Sequence, residues 1–288
     1  MPSMPRTAVI TDTDASIPLE IAQKYNIAQV PIMVQFGEES FRAVYDIDDK
    51  QTFARIDKTG KLPTTSAPSP GQFAEAYKAA FSAGYTDILC FTVSSEVSVT
   101  YTAALNAANL FPDKEITVID TKTLTACQGF MALAAAKALK NGVAKENAIC
   151  AAQNVEKRSS LFAALATVKY LAMSGRVGYL AAGIANILDV KPILTLRNGK
   201  LDMLERVRTQ NKAWERVVAL AVEKAAGSSI EQMAIVHVCA PEAAKKLEEM
   251  LRSHLSCPDE ILYTELTPGL SVHSGAGLVG VGMVISEN

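Results

Sequence analysis

The chain has 288 residues, 49% of them hydrophobic and 20% charged, with a formal net charge of −2. That length is more than one core usually organises, so two domains are expected, and the composition excludes a disordered polymer. Acids and bases are mixed along the chain, which excludes a nucleic-acid surface, since that needs a concentrated basic patch.

The opening MPSMPRTAVITD has no charged region followed by an apolar one, so no signal peptide is expected. No apolar run reaches the ~18 residues of a membrane span. The five cysteines (Cys90, Cys127, Cys150, Cys239, Cys257) are odd in number and widely spaced. Reduced thiols, mostly buried, in a cytoplasmic protein are the expectation.

In chain order, TAVIT (7–11) reads as a strand, followed by a loop and a helix opening at Pro18. AQVPIMVQF (28–36) reads as a second strand. Ser69-Pro70-Gly71-Gln72 is a helix start: Ser69 caps, Pro70 takes the first helical position and Gln72 completes a capping box. DILCFTV (87–93) and ITVID (116–120) have the character of parallel strands buried on both faces. An alanine-rich helix, about 125–140, closes this half at Asn141-Gly142. Strand–helix alternation predicts a parallel, helix-covered sheet.

In the second half, helical patterns cover about 144–156 and 160–172. KPILTLRNGKLDMLERVR reads as a hairpin turning at Asn198-Gly199. A helix from about 210 to 226 stops at Gly227. MAIVHV (233–238), EILYTEL (260–266) and LVGVGMVI (278–285) supply further strands, so hairpin and crossovers together predict a mixed sheet. The expected division is a parallel-sheet α/β domain over 1–150 and a mixed-sheet α/β domain over 151–288, with the ligand at their interface.

Ligands of open parallel sheets collect at the carboxyl ends of the strands. There this chain places Asp12-Thr13-Asp14, Ser94-Ser95 and Asp120-Thr121, and Thr64-Thr65-Ser66 precedes a helix. Capping accounts for single hydroxyls such as Ser69, and Ser98 could cap the helix that follows it. The surplus of neutral donors near helix N-termini suits an anionic head group such as a carboxylate or phosphate. Further candidates are Arg176 in SGRVG, Arg206 and Arg208 after the hairpin, and His273 ahead of a glycine-rich strand. Asp12, Asp14 and Asp120 as a metal-dependent phosphatase centre, or His237 with Cys239 as metal ligands, are weaker readings; the strand pattern favours core positions for the last two.

Eight segments in one order, TDTDASIP, TTSAPSPGQF, SSEVSVTYTAA, VIDTKTLTACQG, YLAMSGRVG, KPILTLRNGK, VRTQNKA and HSGAGLVGVG, give the chain a resemblance to the DegV family of lipid-binding proteins over essentially its whole length. The resemblance implies two α/β domains and a long-chain fatty acid in a tunnel, its carboxylate near the domain interface. It also implies a role, for some members, as the lipid-presenting subunit of an ATP-dependent fatty acid kinase, with no cofactor or metal of its own. By motif, the carboxylate-contacting hydroxyls map to Thr65, Ser66 and Ser98. The functional arginine maps to Arg176, a further arginine to Arg208 and the C-terminal histidine to His273, with Arg176 and His273 assisting phosphoryl transfer by the partner kinase. Ser95 and Ser274 complete the expected fatty-acid-binding set. The chain departs from the family's Ser-Gly-Thr with Ser98-Val99-Thr100, and Glu96 stands just before it.

The rival from another class is a serine hydrolase with Ser98 as nucleophile and His273 as base. Such enzymes on α/β sheets carry Gly-x-Ser-x-Gly, because the strained turn needs small neighbours. Ser98 has valine on both sides.

Overall fold

The computed structural model describes residues 6–174 and 190–287. TAVITD forms β1 (Thr7–Asp12), followed by a 3-10 turn (Thr13–Ala15), α1 (Leu19–Lys24) and β2 (Ile27–Val30). β3 (Met33–Phe36) and β4 (Glu39–Arg42) pair as a hairpin ahead of α2 (Asp49–Thr59). β5 (Thr64–Ser66) precedes α3 (Pro70–Ser82), which starts with the Ser69–Gln72 capping box expected from the sequence. β6 (Asp87–Thr92), α4 (Thr100–Ala108), β7 (Glu115–Asp120) and α5 (Thr125–Lys140) complete the first half.

α6 (Lys145–Arg158) leads to β8 (Ser159–Ala164) and α7 (Lys169–Met173), so residue 150 falls inside a helix. The hairpin β9 (Lys191–Arg197) and β10 (Lys200–Val207) is followed by α8 (Gln210–Ala225) and β11 (Ile230–His237). α9 (Pro241–Arg252), β12 (Leu262–Glu265), α10 (Pro268–Ser274) and β13 (Val279–Ile285) follow.

Two α/β units result. The first has a four-stranded sheet in the order β2-β1-β6-β7, parallel throughout. The second has a six-stranded mixed sheet, β10-β9-β8-β13-β11-β12, in which β11 and β12 are the parallel pair. A small antiparallel sheet, β4-β3-β5, stands apart from both. α3 and α4 cover one face of the parallel sheet, and α8 and α9 one face of the mixed sheet.

α5 lies between the two sheets, in a core that also holds Val9 and Phe91 from one unit and Leu161 and Val236 from the other. Its residues from Thr125 to Leu133 are all buried. Alanine is the commonest residue of this helix because small side chains let two sheets approach one helix from opposite sides while the interior stays close-packed.

Three readings of the sequence are corrected. The run 28–36 is two strands in different sheets, because Pro31 cannot donate to a ladder and the chain bends there; the Ile32 N–H is instead held by the Thr13 hydroxyl at 3.0 Å. The span 160–172 is not one helix: its first five residues belong to β8, at the centre of the mixed sheet between β9 and β13, and only 169–172 are helical, in α7. A short apolar run rich in alanine does not distinguish a buried strand from a helix by periodicity. β7 is an edge strand and only half-buried, unlike β6, which is buried throughout. Of the cysteines, all free, Cys90 and Cys127 are buried, Cys257 is half-buried, and Cys150 and Cys239 are exposed.

Candidate functional site

A cavity of about 680 Å³ opens between the two units. Its apolar wall comes from the faces of β8, β9 and β11 turned toward α5, through Leu161, Ala163, Leu194 and Val236, with Leu266 and Leu278 from adjoining loops. Its polar groups come from elsewhere. β5 contributes Thr65 and Ser66, the loop between β6 and α4 contributes Ser95 and Ser98, and α10 contributes His273 and Ser274. Six of the eight residues expected in the site therefore line one cavity. Arg208 lies just past the end of β10, exposed, and is not among the lining residues. Arg176 lies outside the described residues.

The small sheet and α10 bring the polar groups together. Thr65 is paired with Val34 in the β3–β5 ladder, which directs its side chain toward α10. There the Thr65 hydroxyl and His273 Nε2 share a hydrogen bond of 2.9 Å across 208 residues of sequence. The Ser98 hydroxyl is 2.8 Å from that of Thr100 and accepts the Thr100 N–H at 3.3 Å. Val99 rather than Ser98 is the helix-capping residue of α4, and its side chain is 71% exposed. It also lines the cavity beside Ser98, so the residue that departs from the family pattern stands next to the head-group hydroxyls.

Glu96 also lines the cavity. Its charge is offset by Lys122 and Lys200, each 3.6 Å away. Lys200 belongs to the second unit, and the contact is part of a larger seam. The hairpin turn Asn198-Gly199, with both residues at positive φ, rests on the loop after β6. Ser94 donates a hydrogen bond to the Gly199 carbonyl at 2.8 Å. A Cβ on Gly199 would come within 2.6 Å of the Ser94 hydroxyl and 2.9 Å of the Lys122 side chain. Gly199→Ala is therefore expected to destabilise the protein by about 1–3 kcal/mol, from left-handed backbone strain alone. It should also loosen the seam beside the cavity. Denaturant titration checks this; unchanged stability would mean the turn does not pack as described.

Two buried acids stand behind the polar groups. Asp12 accepts from the Val93 N–H at 2.8 Å, the Asp14 N–H at 2.9 Å and Gln128 Nε2 at 3.1 Å. Burial pushes its carboxyl up to about 6, against the pull of those three donors. Asp14 lines the cavity itself. Burial, and then the neighbouring Asp12, hold its carboxyl well above the ordinary carboxylate range, and only a 3.4 Å hydrogen bond from Thr267 opposes them. The sequence points to Asp12 and Asp14 as strand-end acids but not to the cavity, and α10 is not among the elements expected from it. The Thr267-Pro268 pair was the available signal, since proline favours the first helical position.

Among the described residues no group of three or more His, Cys, Asp or Glu side chains is arranged to hold a metal ion. His237, on β11, has its Nδ1 toward the Ala240 N–H at 3.5 Å and Glu265 at 3.8 Å, and burial lowers its pKa. Also among the described residues, no helix is long and apolar enough to cross a membrane.

Comparison with known proteins agrees with this architecture. A DegV domain-containing protein of Streptomyces coelicolor is 32% identical over 274 residues, 95% of this chain and 96% of that one. Protein DegV of Bacillus subtilis is 29% identical over 95% of this chain and 97% of its own length. The solved structure of that Bacillus subtilis protein, named a fatty acid binding protein, superimposes with a TM-score of 0.88 over 98% of this chain and 100% of that one. A structure described as fatty acid binding of a DegV family protein from Thermus thermophilus gives a TM-score of 0.90 at 27% identity, covering 98% and 100% of the two chains. The family model described as "Uncharacterised protein, DegV family" matches residues 6–286, and the chain belongs to the DegV family.

Proposed function

We propose that this protein binds a long-chain fatty acid in the cavity between its two units and presents the carboxylate to a separate ATP-dependent kinase. The observation that carries the reading is the division of the cavity wall: Leu and Val side chains from the mixed sheet, against the hydrogen-bonded Thr65–His273 pair and the Ser98 hydroxyl. The fatty-acid-binding DegV proteins of Bacillus subtilis and Thermus thermophilus support it.

The energetics agree. Burying about 13 methylenes contributes about 10 kcal/mol at ~0.8 kcal/mol each. Association costs about 4–15 kcal/mol, so the tail carries most of the affinity and the hydroxyls fix orientation. In this reading Thr65, Ser66, Ser95, Ser98 and Ser274 serve the head group. Ser66 and Ser95 are exposed, which leaves the carboxylate within reach of an external enzyme. Arg176 and His273 assist phosphoryl transfer, since a guanidinium offsets the repulsion between two anions and holds phosphate bidentately. Arg208, exposed past the end of β10 and outside the cavity lining, has no head-group contact in this reading.

Organic extraction of purified protein followed by mass spectrometry tests the binding. Protein made in a bacterial host should release close to one long-chain acid per chain. Repeated extracts with no lipid above a control protein would overturn the proposal.

A further inference from the structure

Two carboxyl groups line the cavity among the described residues, and they differ in kind. Glu96 is half in solvent and faces two lysines. Asp14 is only 4% exposed. Its Oδ1 lies against Gly269 at the start of α10, so closely that a Cβ at that position would overlap it. Residues four apart on a helix share a face. Asp14 is thus walled in one helical turn from His273, whose ring bonds Thr65.

Asp12 and Asp14 divide the roles of a close acid pair. Asp12 accepts three hydrogen bonds, the environment that favours the ionised form. Asp14 has a single long one, from a Thr267 hydroxyl that it shares with the Thr13 carbonyl at 3.1 Å. When two neighbouring acids have such unequal surroundings, the poorly solvated one keeps the proton.

The titratable groups around Asp14 are few. Asp12 adjoins it on the same turn, His273 lies along α10, and Asp49 of α2 reaches the far side of α10 through Ser271. Ile32, which packs on Gly269 beside it, is uncharged.

We infer that Asp14 makes capture of the anionic head group proton-linked: the cavity holds a carboxylate tightly only while Asp14 is in its uncharged acid form. The inference rests on the acyl-binding reading above. An ionised Asp14 would place two anions about one helical turn apart with little water between them, a repulsion that weakens binding by about 10- to 100-fold at an intermediate effective dielectric. Burial and the Asp12 charge both push the Asp14 carboxyl well above its ordinary range, toward the acid form. Release of the ligand then follows from a rise in pH or from any change that hydrates Asp14.

The test uses hexadecanesulfonate, an anion at every pH, and hexadecanol, a neutral ligand of equal length, each titrated below its aggregation limit between pH 6 and 10, with palmitate as reference. The expected result is a sulfonate Kd that is level at low pH and then rises by up to tenfold per pH unit, with a level profile for hexadecanol. Asp14→Asn should abolish the rise. Thr267→Val removes the hydrogen bond that favours ionised Asp14, so the rise should move to higher pH. The Thr267 variant keeps the inference testable if Asp14→Asn does not fold. A level sulfonate profile in the unaltered protein, or a rise that Asp14→Asn retains or Thr267→Val leaves in place, overturns the inference while acyl binding stands. Absence of binding by all three ligands at every pH overturns both.

Discussion

Thr65→Ala combined with Ser98→Ala is expected to weaken long-chain fatty acid binding by about 10²- to 10⁴-fold. A hydrogen bond to a charged partner contributes about 1.5–3 kcal/mol, and the double variant removes two. The tail contacts are untouched, so the loss should leave residual binding of a fatty acid in an indifferent head-group orientation. Thr65 sits in a short strand held by backbone pairing with β3, and losing its hydroxyl leaves that ladder intact. Ser98 also holds the Thr100 N–H at the start of α4, so its replacement costs about 1 kcal/mol of stability. A melting curve measured alongside displacement of a fluorescent fatty acid separates the two effects. Binding as tight as in the unaltered protein would put the head group elsewhere.

His273 carries more than one consequence in the same experiment. Without the Thr65 hydroxyl its Nε2 loses a 2.9 Å partner, so Thr65→Ala disturbs the histidine as well as the ligand. A cycle of Thr65→Ala, His273→Ala and the double change isolates that coupling, because residues in direct contact depart from additivity.

The parts of this fold that were legible in the sequence are those in which local chemistry and tertiary context agree. The Ser69 capping box, the Asn198-Gly199 turn and the alanine-rich helix over 125–140 each carry a local reason for their conformation, and each forms where expected. The failures fall where the partner decides. LFAA in β8 satisfies helix and strand alike, and only its place between β9 and β13 selects strand. The small sheet of β3, β4 and β5 was hidden because three- and four-residue strands have no periodicity to detect.

The same distinction holds for the cavity. Hydroxyls at strand ends marked its polar side, since such residues have few other uses in surplus. The apolar wall left no mark, because Leu161, Leu194 and Val236 are indistinguishable in sequence from ordinary core. Asp14 was visible as an acid at a strand end. Its burial depends on α10 folding back from more than 250 residues away, which no local pattern records.

The second large effect concerns Asp49, at the first turn of α2. Its neighbour Asp48 is an ordinary helix cap, exchanging hydrogen bonds with Gln51. Asp49 instead turns inward, is 1% exposed, and accepts the Ser271 hydroxyl of α10 at 2.6 Å. Its second oxygen is buried with no partner among the described residues. Burial pushes this carboxyl up to about 8, against the Ser271 hydrogen bond, with Glu265 and Asp48 adding to the rise. In the unfolded chain it titrates near 3.8. Below pH 4 both states hold the proton and Asp49 is neutral in its effect. Between about 4 and 8 the folded state binds one more proton than the unfolded state, so stability falls as pH rises. Above about 8 the carboxylate is ionised in both states and the loss is complete, at most about 6 kcal/mol at ~1.4 kcal/mol per tenfold change in proton affinity. The positive end of α2 returns up to about 1 kcal/mol of this to the ionised form. Asp49→Asn keeps the acceptor for Ser271 and cannot ionise. The variant should stay within about 1 kcal/mol of the unaltered protein in urea unfolding at pH 4.5 and exceed it by about 3–5 kcal/mol at pH 9. An equal stability difference at both pH values would mean that Asp49 does not titrate as its burial requires.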